Sequence, residues 1–299
     1  MLKKIFSILA MAVALSACGS GTSAQTSADS TSSADNNTTQ DTTKMETTTD
    51  KYVLVKTTEG DVTLKLYGDT PRHQANFVKL ASEGYYDGTL FHRVISEFMV
   101  QGGDPDSKTA KPGQRLGSGD PSYTLEAEIV YPAHYHKRGA LAAARQGDQV
   151  NPQRRSSGSQ FYIVTGRKMS AAEINQLAAR FADSEKEAEF MRLVQENMTQ
   201  IRAMQAKGDQ QGLYALQNTL IQQVEAKFAG KPAPQLPEDV KQAYINVGGA
   251  PHLDGQYTVF GEVVKGMEVV EKIEKAKTDA NDRPVNDIKV LSMTVIDKP

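Results

Sequence analysis

The chain has 299 residues, 39% hydrophobic and 23% charged, with a formal net charge of −2 and a pI near 6.2. That composition supports one or two globular domains and excludes wholesale disorder, and the near-neutral balance offers no basic stripe for nucleic acid. The single cysteine can neither close an internal disulfide nor build a thiolate metal centre.

The N-terminus carries Lys3 and Lys4, an apolar run from Ile5 to Leu15, and then Leu15-Ser16-Ala17-Cys18. The run is too short for a permanent membrane span and has the length of a signal-peptide core. Leu15-Ser16-Ala17-Cys18 resembles the bacterial lipobox, in which the cysteine is lipidated and becomes the new N-terminus. A plain secretory signal is the alternative. The lipobox reading makes residues 1–17 a lipoprotein signal peptide and Cys18 a lipidation site. It places the mature protein in the cell envelope, anchored to a bacterial membrane with its domain outside the cytoplasm, in the periplasm. Residues 19–50 hold sixteen Ser or Thr among thirty-two. Such a segment cannot bury enough surface to offset its ordering entropy, so 18–50 is expected to be a disordered tether reaching roughly 30 Å.

Regular structure is expected from Lys51. Val53 and Val55, then Val62, Leu64 and Leu66, alternate around Glu59-Gly60 as in a β-hairpin. Thr70-Pro71 predicts a helix start, continued by Ala75, Phe77, Val78, Leu80 and Ala81 and ended by Gly84. From Tyr85 to Gly166, Gly, Pro and short β-prone runs predict an antiparallel sandwich or barrel. Residues 168–246 change character. Ile174, Leu177 and Phe181 follow helical spacing, as do Phe190, Val194, Met198 and Ile201 after a Ser184 cap, and Leu213, Leu216, Leu220, Val224 and Phe228 after Lys207-Gly208-Asp209. This predicts a helical hairpin inserted within a β-rich domain spanning 51–299. A helix over Met267 to Ala276 and a strand over Ile288 to Ile296 close the chain.

Three segments carry the chemistry: Phe91-His92-Arg93-Val94-Ile95 running on to Phe98-Met99-Val100-Gln101-Gly102-Gly103-Asp104, then Ser157-Gly158-Ser159-Gln160-Phe161-Tyr162-Ile163, and Leu253-Asp254-Gly255-Gln256-Tyr257-Thr258-Val259-Phe260-Gly261. Singly, each could be barrel packing with glycine turns. Together, in this order, they resemble the cyclophilin family of peptidyl-prolyl cis–trans isomerases, over residues 51–166 and 247–299. The resemblance implies a mainly β fold, an eight-stranded antiparallel barrel capped by two helices, and rotation of X–Pro amides in unfolded or partly folded polypeptides. That reaction breaks no bond, so it needs neither a nucleophile, a metal nor a cofactor.

The resemblance assigns Arg93 the cationic role in catalysis. Gln101, and with it Gln160, is expected to align the substrate backbone and hold the arginine. Phe98, Met99, Tyr162 and Leu253 are expected to line the proline pocket, and Ala142 and Ala143 to pair with the bound peptide. His92 reads as a buried structural residue. Three positions depart from the animal cyclophilin pattern. Tyr162 replaces a pocket phenylalanine and must find a partner for its hydroxyl. His252 stands in place of a tryptophan, and Tyr257 in place of a histidine at the site. With the indole gone, cyclosporin-type cyclic peptides are expected to bind weakly, and a nanomolar titration would contradict this. His134 and His136 have a spacing that permits metal binding, but no third ligand is evident and a solvated pair is expected. The hairpin between Gly166 and Gly248 reads either as an arm contacting longer client chains or as a packing decoration.

Overall fold

The computed structural model describes residues 48–230 and 236–299, with the side chains of 181–184 outside the description. The signal segment, Cys18 and residues 18–47 of the tether therefore lie outside the described residues.

The β-hairpin forms where the alternation places it. Strand β1 (Lys51–Thr57) pairs with β2 (Gly60–Leu66), and Val53, Val55, Val62, Leu64 and Leu66 all point into the core. Thr57 organises the turn: its Oγ1 donates to the Gly60 carbonyl and accepts from the Glu59 and Gly60 amides. Helix α1 (Pro71–Ser82) follows and ends at Gly84, whose φ of +66° suits glycine. Its predicted Thr70 cap does not form. Thr70 donates to the Tyr67 carbonyl, and the first-turn amides of Arg72 and His73 donate instead to the buried Glu128 carboxylate at 3.0 and 2.9 Å. A distant carboxylate thus satisfies the helix start and complements its dipole.

The short strands β3 (Arg93–Ile95), β4 (Met99–Gly102), β6 (Ala140–Ala143) and β8 (Phe161–Val164) join β9 (Val259–Lys265) and β10 (Val290–Ile296) in one sheet. Its order is β10-β1-β2-β9-β6-β8-β4-β3, eight strands paired antiparallel throughout. Strands β5 (Thr124–Leu125) and β7 (Ser156–Ser157) form a separate ladder. A bridge between Leu90 and Lys289, with the Phe91 amide donating to Ile288, brings the two ends of the main sheet together and curls it into the expected barrel. Helix α1 supplies Phe77, Leu80 and Ala81 to the core, and the last helix, α6 (Met267–Glu274), supplies Val270 and Ile273.

Strand alternation sorts side chains into two apolar clusters. Val100, Leu141, Ala143, Phe161 and Ile163 face the barrel interior. Met99, Ala140, Ala142, Tyr162 and Val164, one residue out of phase, form a second cluster with Phe98, Leu253 and Tyr257 packed on it. The site is built on that second cluster.

Between β8 and β9 lie helices α2 (Ala171–Glu196), α3 (Met198–Lys207), α4 (Gln210–Phe228) and α5 (Glu238–Asn246). Helix α2 opens with a complete capping box between Ser170 and Glu173. It runs through 184 without a break, contrary to the predicted Ser184 cap. The flanking Ala, Glu and Lys residues favour helix strongly enough to carry one serine in the interior. The chain instead interrupts the helix at Asn197 and turns at Gly208, with Asp209 capping α4. The helices and the barrel belong to one compact unit, Met45–Pro299. None of the helices among the described residues is long and apolar enough to cross a membrane.

Candidate active site

A cavity of about 450 Å³ opens on the second apolar cluster. Arg93 lines it from β3, Phe98 from the β3–β4 turn, Met99 and Gln101 from β4, and Tyr162 from β8. Leu253, in a short 3-10 turn, and Tyr257 close another side. The β3–β4 register sets Arg93 directly opposite Gln101, and β4–β8 sets Gln101 opposite Tyr162, so three consecutive strands deliver the polar and apolar halves together.

The two glutamines are placed differently. Gln101 Nε2 donates to Gln160 Oε1 at 3.1 Å, and Gln160 donates to the carbonyls of Gly119 (2.6 Å) and Gly117 (3.3 Å). Gln160 is thus a buried strut between β8 and the loop at the cavity rim, while Gln101 faces the cavity. The ion partner of Arg93 is Asp282, 3.6 Å from Nε, and the arginine side chain is 42% exposed. Arg283, next along, is buried. It donates to the carbonyls of Lys111 (2.8 Å) and Gln114 (2.9 Å) and pairs with Asp287 (2.8 Å), fixing the 111–117 rim. The cavity lining includes Arg93, Arg115, Arg145 and Arg283 against Asp282, a positive surface suited to peptide carbonyls.

Ala142 and Ala143 do not reach the cavity and are 0% and 3% exposed. Ala142 lies opposite Tyr162 within the second cluster, and Ala143 points into the barrel. The residues that do line it are the next two, Ala144 and Arg145, where β6 has ended and the backbone leaves the sheet. Arg145 stacks its guanidinium over the Tyr257 ring at 4.3 Å and donates to the Gln256 carbonyl and Asp148. The signal for these residues was present in sequence: a charged residue just past a strand end is a better contact candidate than alanines within the strand. His252 is exposed and falls outside the cavity lining. Its ring packs at 5.4 Å from Phe98, and partial desolvation of the ring against its neighbours, then His136, lowers its pKa. His92 lines the cavity while remaining 3% exposed, and burial lowers its pKa to about 4 against the opposing pull of Asp104.

The Tyr162 hydroxyl finds its partner in His136, with Nε2 at 2.9 Å, and burial raises its pKa well above the ordinary phenol value. His136 is therefore no solvated residue: it is 1% exposed and bound to Asp254. His134 stacks on Tyr67 at 4.0 Å and meets Asp69 at 2.7 Å. Among the described residues no group of three or more His, Cys, Asp or Glu is arranged to hold a metal ion.

Comparison with known proteins identifies the family. The family model described as cyclophilin type peptidyl-prolyl cis-trans isomerase matches residues 52–226 and 182–295. A putative peptidyl-prolyl cis-trans isomerase of Staphylococcus haemolyticus is 32% identical over 249 residues, 82% of this chain and 91% of that protein. A putative bifunctional phosphatase/peptidyl-prolyl cis-trans isomerase of Streptococcus pyogenes is 33% identical over 256 residues, 85% of this chain and 40% of that longer protein. A crystal structure of a Cryptosporidium parvum cyclophilin type peptidyl-prolyl cis-trans isomerase covers 84% of this chain and 99% of its own, with 21% identity and a TM-score of 0.48. The chain belongs to the cyclophilin-type peptidyl-prolyl cis-trans isomerase family.

Proposed function

We propose that this isomerase lowers the rotation barrier of X–Pro bonds by holding the twisted amide between Arg93 and the apolar wall of Phe98, Met99, Tyr162 and Leu253. The observation that carries the reading is their convergence on one cavity. An X–Pro amide rotates slowly because conjugation gives its C–N bond double-bond character, with a barrier of ~18–20 kcal/mol. Rotation makes and breaks no covalent bond, so the site need only bind the twisted form better than either planar one. Lowering the barrier by about 7 kcal/mol accelerates rotation roughly 10⁵-fold. The apolar wall seats the proline ring. The Arg93 fork donates to the prolyl nitrogen or the adjoining carbonyl, which weakens conjugation and favours a pyramidal nitrogen. Asp282, meeting Nε at 3.6 Å, orients that fork. Gln101, steadied by Gln160, aligns the peptide backbone.

The test compares wild type with Arg93→Ala on a short proline peptide. The expected result is a loss of kcat/KM of at least about tenfold, the cost of removing a preorganised donor, with an unchanged thermal midpoint. Equal activity in both proteins overturns the arginine mechanism.

The same proposal places the enzyme on a bacterial membrane through Cys18, acting on proline-containing unfolded chains outside the cytoplasm. Its support is the Leu15-Ser16-Ala17-Cys18 sequence, which contains the chain's one cysteine. Labelled fatty acid fed to expressing cells should enter wild type and not Cys18→Ser, and the variant should leave the membrane fraction. Equal labelling of both proteins overturns the anchor.

A further inference from the structure

The Tyr162 hydroxyl is the first link of a buried polar chain that leaves the proline pocket and ends in the helical insertion. Tyr162 meets His136 Nε2 at 2.9 Å, with the two rings stacked 11° from parallel. His136 Nδ1 and its backbone amide both meet Asp254 Oδ1 at 2.9 Å. Asp254 Oδ2 accepts the Tyr244 hydroxyl at 2.6 Å, and Tyr244 is a fully buried residue of helix α5. All four side chains are nearly or wholly withdrawn from water.

Backbone contacts bind the same layers. The Ala250 amide donates to the His136 carbonyl at 2.8 Å, and the Met169 amide to the Tyr244 carbonyl at 3.1 Å. Gly249 fits between them because a Cβ there would strike the His136 carbonyl and the Tyr244 ring. Beyond Tyr244, Ile174 and Val240 make a small apolar core with Tyr135, the neighbour of His136. The His136 loop is therefore clamped between the root of the insertion and the floor of the pocket. Asp254 directly follows Leu253, so both pocket walls depend on it.

We propose that His136 is a positioning residue: it fixes the Tyr162 wall of the proline pocket and makes helix α5, through Tyr244 and Asp254, part of the substrate-binding apparatus. A buried donor or acceptor left without a partner is costly, so the four groups settle as one unit rather than independently. With Asp254 accepting from Nδ1, Nε2 is left to accept a hydrogen bond from the Tyr162 hydroxyl, and removing the Tyr244 hydroxyl alters the arrangement at every later link.

The activity arm of the test rests on the isomerase reading. It is a cycle in the full chain comprising wild type, Tyr244→Phe, Tyr162→Phe and the double variant. Tyr244→Phe should raise KM for a proline peptide about threefold to tenfold, the cost of one buried hydrogen bond, with the effect on KM rather than kcat. In the Tyr162→Phe background the same substitution should change KM less than about twofold. Equal effects in both backgrounds overturn the proposal, because a merely structural loss would not depend on the Tyr162 hydroxyl. A substrate-free arm reads the His136 ring by ¹⁵N NMR. Tyr244→Phe should shift the Nε2 resonance, and an unmoved resonance overturns the relay whatever the activity. An inactive wild type with a shifted resonance removes the isomerase reading and leaves the relay standing.

Discussion

The barrel and the helical insertion hold themselves together in opposite ways. In the barrel, neighbours in space are remote in sequence: Phe161 meets Phe77, Tyr86 and Phe91 edge-on or nearly so, and Val53 shares a core with Met293. In the insertion the buried positions form sparse seams, Phe190 and Val194 on α2, Ile201 on α3, and Leu213, Leu220 and Val224 on α4. It also carries ion pairs with at least one solvent-facing partner: Arg192–Glu189 (2.7 Å) within α2, and Lys227–Glu189 (2.7 Å) and Lys186–Glu225 (3.2 Å), which join α2 to α4. Exposed pairs of this kind add little to stability. A fold of the first kind loses order all at once, while a hairpin of the second kind can open locally. Among the described residues the cavity is lined by barrel strands and the loops that follow them, and the insertion approaches it through its root.

The sharpest way to break this contrast is to cut the barrel core. Phe161→Ala removes a ring that is 1% exposed and packed against Phe77, Tyr86 and Phe91 in the barrel core. A loss of about 3–5 kcal/mol in global unfolding free energy is expected, measured by denaturant titration with unchanged slope. A loss under about 1 kcal/mol would mean that the aromatic cluster repacks and that the barrel is softer than its contacts indicate.

Acid should act on the barrel next. Burial depresses the pKa of His92 to about 4, below the 6.5 of an open histidine. Between those values the unfolded chain binds the extra proton and the folded chain does not. Stability is therefore complete above about pH 6.5 and falls as pH drops toward 4, by up to about 3 kcal/mol. Against burial, the His73 hydrogen bond and the Arg72 and His73 amides hold Glu128 below its ordinary value, so its contribution is lost only at still lower pH. Unfolding free energies at pH 7 and pH 4.5 for wild type and His92→Phe isolate the histidine. The variant should show the flatter profile, and parallel profiles would refute the assignment.

How much of this was legible follows the same division. The hairpin of β1 and β2 and both capping helices are written in local periodicity, and Arg93, Met99, Gln101 and Tyr162 converge because their motifs fix them on adjacent strands, with Phe98, Leu253 and Tyr257 brought in by the turns beside them. Contacts chosen by tertiary geometry were not legible. Nothing local to Pro71 says that Glu128 caps its helix, and nothing local to Arg93 says that Asp282 is its partner. The cavity-lining pair lies two residues beyond Ala142 and Ala143, and only the charge of Arg145 marks where a four-residue strand of small side chains leaves the sheet. Ser184 misled in the opposite direction, since a capping residue signals a helix end only where the chain has reason to stop.

The smallest effect on activity, and the finest probe of the comparison, belongs to the hairpin seam. Leu220 is 2% exposed on α4, and Leu220→Ala costs about 2–4 kcal/mol if its cavity persists. That loss should fall on the insertion alone. Amide exchange should speed up across α3 and α4, 198–228, and stay slow in β1, β2 and β8, while kcat/KM for a short proline peptide changes less than about twofold. The relay to Tyr162 begins at Tyr244 on α5, and the small core of Ile174, Val240 and Tyr244 that holds it does not include Leu220. Loosening the seam should therefore leave the relay and the pocket in place. If exchange rises equally in the barrel strands, the insertion is a structural partner of the whole fold, and the division drawn between the two regions fails.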